Sequence, residues 1–480
     1  MSKLFFLIFC SLEPVVMHFF YFPSTEVVSI TAMLIFMLGL FVFGLLLMTG
    51  KKTLTVVFVA EALVFVLLDV WHANFSSPLS LAVVAAQYKE GLVFAGRVLS
   101  VFLQPAVFLT LFVLAAKLFY LYKFFTPFEF NAKVFAALAV PLVALLGLTY
   151  KTFHKSYFNQ MDFNAYAKTL GYFQAWTYEV ITAADRSLLF DDIMANINQP
   201  APPLPAEFKN ISLPENIFVI QIESLNYSAL TEVVDGKPVM PFLRSIADKS
   251  YVYKIEKEAP SCSANADFSV LTGYKDRESL YAAVYNMIPL EYYKNMITLP
   301  EKYRRAGYRT AFYHGFVERY YDRKKNVSQM SFDNIWFQEN LPITAPLGAM
   351  GFDDKDLFEF VLQQNQQHAK NFNFIITVSS HDPFSIGEIY KYPYVSPQNQ
   401  NQKYLNAVSY VDNALEHLIS KAPRSSVFFM YSDHSRSHLS PEATLFWFYD
   451  KRQVRGLSGN IDNFNRVTAI INGFVEQNRK

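Results

Sequence analysis

The sequence predicts an N-terminal bundle of about five membrane-spanning α-helices followed by an α/β domain with a central, mostly parallel sheet. Three observations carry this. Of the 83 charged residues, 42 basic and 41 acidic, only 14 fall in residues 1–150. The same stretch holds apolar runs of spanning length. Beyond residue 209, short β-rich runs alternate with helical stretches, the pattern of a parallel sheet covered by helices. The chain therefore divides into a transmembrane part (1–150), an interfacial and linker segment (151–208) and a water-soluble domain (209–480).

A spanning helix needs roughly 20 apolar residues, because the bilayer offers no water to its backbone. Val27–Thr49 meets this without a charge, and Thr53–Val70 does so apart from Glu61 and Asp69. Leu99–Ala116 and Val134–Tyr150 are clean but shorter. Leu4–Phe22 is the weakest span, with Glu13, Pro14 and His18; its alternative is a signal peptide, but no small-residue cleavage site follows it. Lys51 and Lys52 after the second span, and Lys117, Lys123 and Lys133 around the loop after the fourth, mark one side as cytoplasmic. Everything after the fifth span is then outside. Glu61 and Asp69 are candidates to line a lipid or substrate path, with an interfacial position the plainer reading for Asp69. Tyr150–Tyr178 is aromatic-rich and suits the headgroup region, and Gln199–Pro205 reads as an extended linker. A net charge of +1 and the lack of any Lys/Arg cluster exclude a nucleic-acid partner. Cys10 and Cys262 fall in different parts of the chain, so no disulfide is expected between them.

The chemistry lies at the ends of three runs. Ile217–Ile222 is followed by Glu223, Phe372–Val378 by Ser379-Ser380-His381, and Val427–Tyr431 by Ser432-Asp433-His434. In open α/β sheets ligands bind beyond the carboxyl ends of the strands. Carboxylate mixed with imidazole suits a hard or borderline divalent cation. Each piece alone is weak, since a Glu after a strand is often a cap and Asp-His is common. Their coincidence at one edge is what points to a metal. A fourth element, Ala259–Leu271, is a polar turn feeding a helix. A hydroxyl at a helix N-terminus sits in positive potential and suits a nucleophile that receives an anionic phosphoryl group. The plainer reading makes Ser261 or Ser263 the N-cap.

Taken together, Asn216-Ile-Phe-Val-Ile-Gln-Ile-Glu-Ser224, Asp235-Gly-Lys-Pro-Val-Met-Pro-Phe-Leu243, Phe312-Tyr-His-Gly315, Tyr321-Asp-Arg323, Ser380-His-Asp-Pro-Phe384, Tyr404-Leu-Asn-Ala-Val-Ser-Tyr-Val-Asp412 and Tyr431-Ser-Asp-His434 resemble the lipoteichoic acid synthase family. These are membrane phosphoglycerol transferases of the alkaline phosphatase and sulfatase superfamily. The resemblance implies an alkaline-phosphatase-like α/β domain held outside a bacterial cytoplasmic membrane by several spans. It places the nucleophile on Ser263, metal ligation on Glu223, Ser263, Asp433 and His434, and the grip on phosphate and head group on Arg323 and His381. Tyr321 and His314 take nearby substrate-facing positions, and Ser263, His381 and Arg323 carry the catalysis. The implied cofactor is one divalent metal ion, manganese ahead of zinc and magnesium. The implied partners are a membrane phospholipid donor, phosphatidylglycerol first, and a glycan or lipid acceptor. The chain departs from the family in having serine for threonine at the nucleophile and Ser-Arg-Ser-His438 after His434. Phosphoethanolamine transfer, a phosphodiesterase or sulfatase-like hydrolase and an inactive membrane scaffold are the alternatives. Cys262 lacks the Cys-x-Pro-Ser-Arg context of sulfatases, and a single cysteine in the soluble part is unlike the disulfide-rich phosphoethanolamine transferases.

Overall fold

The computed structural model describes residues 3–21, 28–75, 105–126, 203–256, 262–275, 284–345, 350–382, 396–436, 442–453 and 456–477, and single positions at 176, 194, 195, 197, 347, 348, 384, 393 and 394. The chain forms two compact units, Met1–Arg186 and Ser187–Lys480.

In the first unit the described helices are α1 (Lys3–Tyr21), α2 (Val28–Leu46), α3 (Lys51–Phe75) and α4 (Pro105–Lys123). The fifth expected span, Val134–Tyr150, and nearly all of the interfacial stretch and linker lie outside the described residues. Helix formation agrees with expectation, but among the described residues no helix is long and apolar enough to cross a membrane. The uncharged α2 has 19 residues, a rise of roughly 28 Å against a hydrocarbon core of roughly 30 Å. The other three helices carry charges within their lengths.

Some of those charges meet each other. Lys117 is not in a loop, as expected from the sequence, but buried within α4. It pairs with Glu13 of α1 and, at 2.7 Å, with Glu61 of α3. An unpaired ammonium could not occupy that site, between the rings of Phe43 and Phe58, without a large desolvation cost. Glu61 is thus engaged inside the unit, and Asp69 accepts from Thr110 Oγ1 at 3.1 Å. The start of α3 and the end of α4 lie together, Lys51 Nζ donating to Tyr122 O at 3.3 Å. Lys51, Lys52 and Lys123 therefore share one end of this helix pair.

In the second unit β1 (Asn216–Ile222), β4 (Tyr251–Ile255), β5 (Arg309–His314), β6 (Asn334–Trp336), β7 (Asn371–Ile376), β8 (Ser426–Ser432), β9 (Thr444–Asp450) and β10 (Leu457–Ile461) form one sheet, while β2 (Val233–Val234) and β3 (Lys237–Pro238) form a separate hairpin. The order is β10-β4-β9-β8-β1-β7-β5-β6. The block β8-β1-β7-β5-β6 is parallel, and β9 runs antiparallel between β8 and β4. The sheet is mostly parallel, as expected.

Its strands read as nearly unbroken apolar runs because both faces are covered. Ile217, Val219, Phe372, Phe374, Val427 and Phe429 point to one face and pack under α5 (Ser263–Thr272) and α9 (Phe464–Glu476). Phe218, Ile220, Ile375, Phe428 and Met430 point to the other, under α7 (Asp354–Asn365) and α8 (Gln400–Lys421). This is the period-two alternation of a pleated strand. Each such fully buried side chain contributes about 1.5–3 kcal/mol. Two quoted motifs meet here: Asp412 on α8 accepts from the backbone N–H groups of Phe242 and Leu243, at 2.8 and 2.9 Å, and so holds the short helix Pro241–Ile246.

Candidate metal centre and nucleophile

Parallel pairing puts the carboxyl ends of β8, β1, β7 and β5 in one row. Gln221 is level with Tyr431 on one side and Ile376 on the other, and Ile376 is level with His314. The residues just beyond these positions are Glu223, Asp433-His434 and the loop to His381.

Glu223, Asp433 and His434 are buried, and one ligand atom from each lies within 4.8 Å of the others. His434 Nε2 is 3.4 Å from Glu223 Oε1 and 3.5 Å from Asp433 Oδ2. The first residue of α5, Ser263, donates from Oγ to Glu223 Oε2 at 2.9 Å, with His434 Nε2 3.3 Å away. The N-cap of α5 is Cys262, not Ser263. The hydroxyl therefore serves the cluster rather than the helix end. Neither Cys10 nor Cys262 forms a disulfide.

The surrounding backbone fixes these groups. Ser224, at φ 52°, donates its N–H to Asp433 Oδ1 and its hydroxyl to Glu223 Oε1, both at 2.8 Å. Thr377 Oγ1 accepts from Glu223 N at 3.0 Å, and Ser380 Oγ donates to Glu223 O at 2.5 Å. His434 Nδ1 lies 3.0 Å from Ser435 O. A carbonyl can only accept, so this contact puts a proton on Nδ1 and, in the neutral ring, leaves the Nε2 lone pair facing the carboxylates.

Two buried carboxylates side by side repel. Burial alone would raise Glu223, but His381 and His434 outweigh it and lower that carboxyl. Burial, then the charge of Glu223, raises Asp433 to about 7. Burial disfavours a charged His434, yet Asp433 and Glu223 raise its pKa. Asp433 Oδ2 is buried with no hydrogen-bond partner among the described residues. The group fits a divalent cation: two carboxylates, one imidazole nitrogen and a hydroxyl converge, and among the described residues no group donates a hydrogen bond to Asp433 Oδ2.

Arg323 and His314 form a second, adjoining group. The side chain of Arg323, opening α6 (Arg323–Val327), is fully buried; Nε donates to Asp267 Oδ2 at 2.8 Å and Nη1 to His314 Nε2 at 3.0 Å. His314 Nδ1 is 3.3 Å from Ile376 O, which leaves Nε2 as the acceptor. Burial, then Arg323, hold His314 neutral, well below the usual imidazole range. Tyr321 lies with its ring 5.6 Å from the guanidinium carbon. Its φ of 59° and the 51° of Asp322 are left-handed, a strain of the kind that gathers at functional sites. Gly315 follows His314 because a Cβ there would stand 2.7 Å from Phe352 O. His381 is half-buried, its Nδ1 donating to Asp382 O at 2.7 Å.

The structure thus brings Glu223, Ser263, Asp433 and His434 into one cluster with His381 beside it, and Arg323, His314 and Tyr321 into the next. Sequence reasoning did not single out Asp267 as a site residue. It stands four residues after Ser263, on the same face of α5, and i,i+4 spacing from the candidate nucleophile was the available signal. Tyr404 was also missed; its hydroxyl donates to Ser224 O at 3.0 Å and accepts from Asn226 N at 2.9 Å.

A mostly parallel sheet that delivers two carboxylates, an imidazole and a helix-terminal hydroxyl to one edge defines an enzyme of the alkaline phosphatase type. The sequence matches the family described as Sulfatase over residues 215–458, just over half of the chain, and the chain belongs to that family. It is 22% identical over 301 residues to the lipoteichoic acid synthase-like YvgJ of Bacillus subtilis, a match covering 60% of this chain and 48% of that protein. To the lipoteichoic acid synthase of Staphylococcus aureus it is 20% identical over 248 residues, covering 48% of this chain and 37% of that one. The chain thus spans about half or less of the length of these curated relatives. Among solved structures, the integral membrane protein lipooligosaccharide phosphoethanolamine transferase A of Neisseria meningitidis superposes with a TM-score of 0.55, at 14% identity, over 98% of this chain and 94% of that one. At that identity the likeness is one of fold. These relatives agree with the resemblance read from the motifs.

Proposed function

We propose that the chain is a membrane-anchored, metal-dependent transferase that moves phosphoglycerol from a phospholipid to an extracytoplasmic glycan or lipid acceptor through a phospho-Ser263 intermediate. The observation that carries this reading is the Ser263 hydroxyl, turned into the Glu223–Asp433–His434 group at the start of a helix. Glu223, Asp433, His434 and Ser263 Oγ would hold the cation, with manganese ahead of zinc and magnesium. A bound divalent cation supplies charge neutralisation that lowers the pKa of the serine hydroxyl.

Ser263 Oγ attacks the phosphorus of phosphatidylglycerol. The Oγ–P bond forms, the bond from phosphorus to the diacylglycerol oxygen breaks, and the serine proton ends on that oxygen, with His381 as its carrier. An acceptor hydroxyl then attacks the phospho-serine: its oxygen bonds to phosphorus, the Oγ–P bond breaks, and the acceptor's proton passes to Oγ. Arg323 neutralises charge on the phosphoryl oxygens. Among the described residues its Nη2 is buried without a hydrogen-bond partner, which leaves a donor for a phosphoryl oxygen. Neutral His314 fixes one edge of the guanidinium without adding charge.

Anchoring keeps the enzyme beside a donor that stays in the bilayer. We assign the membrane part to residues 1–150, the interfacial and linker segment to 151–208 and the catalytic domain to 209–480. In support, Val56, Val59, Leu63 and Leu67 on α3 and Phe108, Phe112 and Phe119 on α4 are exposed, as stripes at helical spacing suited to acyl chains. The superposition on an integral membrane protein also extends over 98% of the chain. An alkaline phosphatase reporter fused after Lys480 is expected to be active in cells; activity only from a cytoplasmic reporter there overturns the orientation.

Phosphatidylethanolamine is the competing donor, because the fold follows that of a phosphoethanolamine transferase along nearly the whole chain. Purified full-length protein offered each lipid separately with Mn²⁺ decides. Diacylglycerol is expected from phosphatidylglycerol. Release from phosphatidylethanolamine alone keeps the transferase and replaces the head group; release from neither, with turnover of a soluble phosphodiester, makes the protein a hydrolase.

A further inference from the structure

Arg436 lies two residues beyond His434, where this chain departs from the family pattern, and it touches all three strand-end loops of the site. Its guanidinium carbon stands 4.7 Å from the ring centroid of Tyr404 and 5.4 Å from that of Phe384. These rings meet edge to face at 5.5 Å. Tyr404 is the residue whose hydroxyl grips Ser224 O and Asn226 N, the backbone that follows Glu223. Phe384 closes the turn from His381: its N–H donates to His381 O at 2.8 Å, and its φ of 59° is one that phenylalanine keeps only when held. Arg436 itself is tied by its backbone N–H to Asn226 Oδ1 at 2.8 Å and by Nη1 to Asn401 Oδ1 at 2.7 Å.

We infer that Arg436 is a positioning residue that clasps the loops carrying Glu223, His381 and Asp433-His434 into one constellation. Its guanidinium carbon stands close to the ring that anchors the first loop and farther from the ring that ends the second, and its main chain belongs to the third. A guanidinium spreads its charge over a plane wide enough to reach two rings while its edge N–H groups donate; an ammonium is a compact point charge with no such span. The inference rests on the reading of Glu223, Asp433 and His434 as a metal centre.

The test is calorimetric titration of purified full-length protein with Mn²⁺ alone, without lipid, at a temperature where each variant keeps the wild-type circular dichroism. Arg436→Ala is expected to weaken Mn²⁺ binding about ten- to a hundredfold, the scale of losing a group that orients metal ligands. Arg436→Lys keeps the charge without the planar face and is expected to stay weakened. Tyr404→Phe removes the grip on Ser224, and the double variant Tyr404→Phe/Arg436→Ala is expected to fall well short of the summed losses, because both act through one contact. Wild-type Mn²⁺ affinity in Arg436→Ala, or full recovery in Arg436→Lys, overturns the clasp. Glu223→Gln is the control: if it alone loses the ion, the metal centre stands and only the clasp fails. If Glu223→Gln binds Mn²⁺ as the wild type does, the metal centre falls and the clasp with it.

Discussion

Ser263→Ala is expected to lower diacylglycerol release by about a thousandfold or more, since it removes the atom proposed to bond to phosphorus. The fold should survive, because Ser263 Oγ bonds within the cluster and caps nothing. Mn²⁺ binding should persist on Glu223, Asp433 and His434. Mass spectrometry of wild-type protein incubated with donor lipid should show the head-group phosphate on the peptide containing Ser263, and the variant should show none. Turnover comparable to the wild type, or the same added mass on Ser263→Ala protein, would place the nucleophile elsewhere.

Asp267→Ala is expected to be the most destabilising single change near the site. Among the described residues Asp267 is the carboxylate bonded to the buried Arg323, and the side-chain exposures of the pair are 0% and 2%. His314 contributes an acceptor but no charge. Removing one partner of a buried ion pair strands the other, at a cost of about 3–5 kcal/mol. The melting temperature of the purified protein should fall accordingly, and turnover should fall because Arg323 is no longer aimed. The compensating double variant Asp267→Asn/Arg323→Met removes both charges, so it should recover most of the stability and none of the activity. A double variant as unstable as Asp267→Ala would show that the pair stabilises by packing rather than by charge.

Much of this site was legible in the chain. A glutamate after one apolar run, Asp-His after another and a histidine after a third say little alone, but the parallel α/β pattern sends all such ends to one edge. The identity of the cluster therefore followed from local residues plus one topological rule. The partner of Arg323 was not legible, because a salt bridge between Asp267 and Arg323 joins positions 56 apart and leaves no periodic trace. The same holds for the clasp of Arg436 on Phe384 and Tyr404. The sequence showed only that the family's usual residues were replaced after His434.

The N-terminal helices show the same limit from the other side. Apolar runs predicted helices, and helices form at Lys3–Tyr21, Val28–Leu46, Lys51–Phe75 and Pro105–Lys123. The sequence places Lys117 around the loop after the fourth span, directly beyond the apolar run Leu99–Ala116. It lies instead inside a helix, since Glu13 and Glu61 from two other helices meet it there and offset its desolvation.

By itself the sequence determined the mostly parallel sheet and that Glu223, His381 and Asp433-His434 end at its edge, while Ser263 was singled out over Ser261 only by the family resemblance. The sheet and its edge follow from patterns of burial and period that operate over a few residues. Tertiary structure alone decided which buried charges are paired, which tautomers the histidines take and what holds the loops in place. Those are set by Coulomb and hydrogen-bond energies between groups far apart in the chain, which take effect only once folding has removed water from between them.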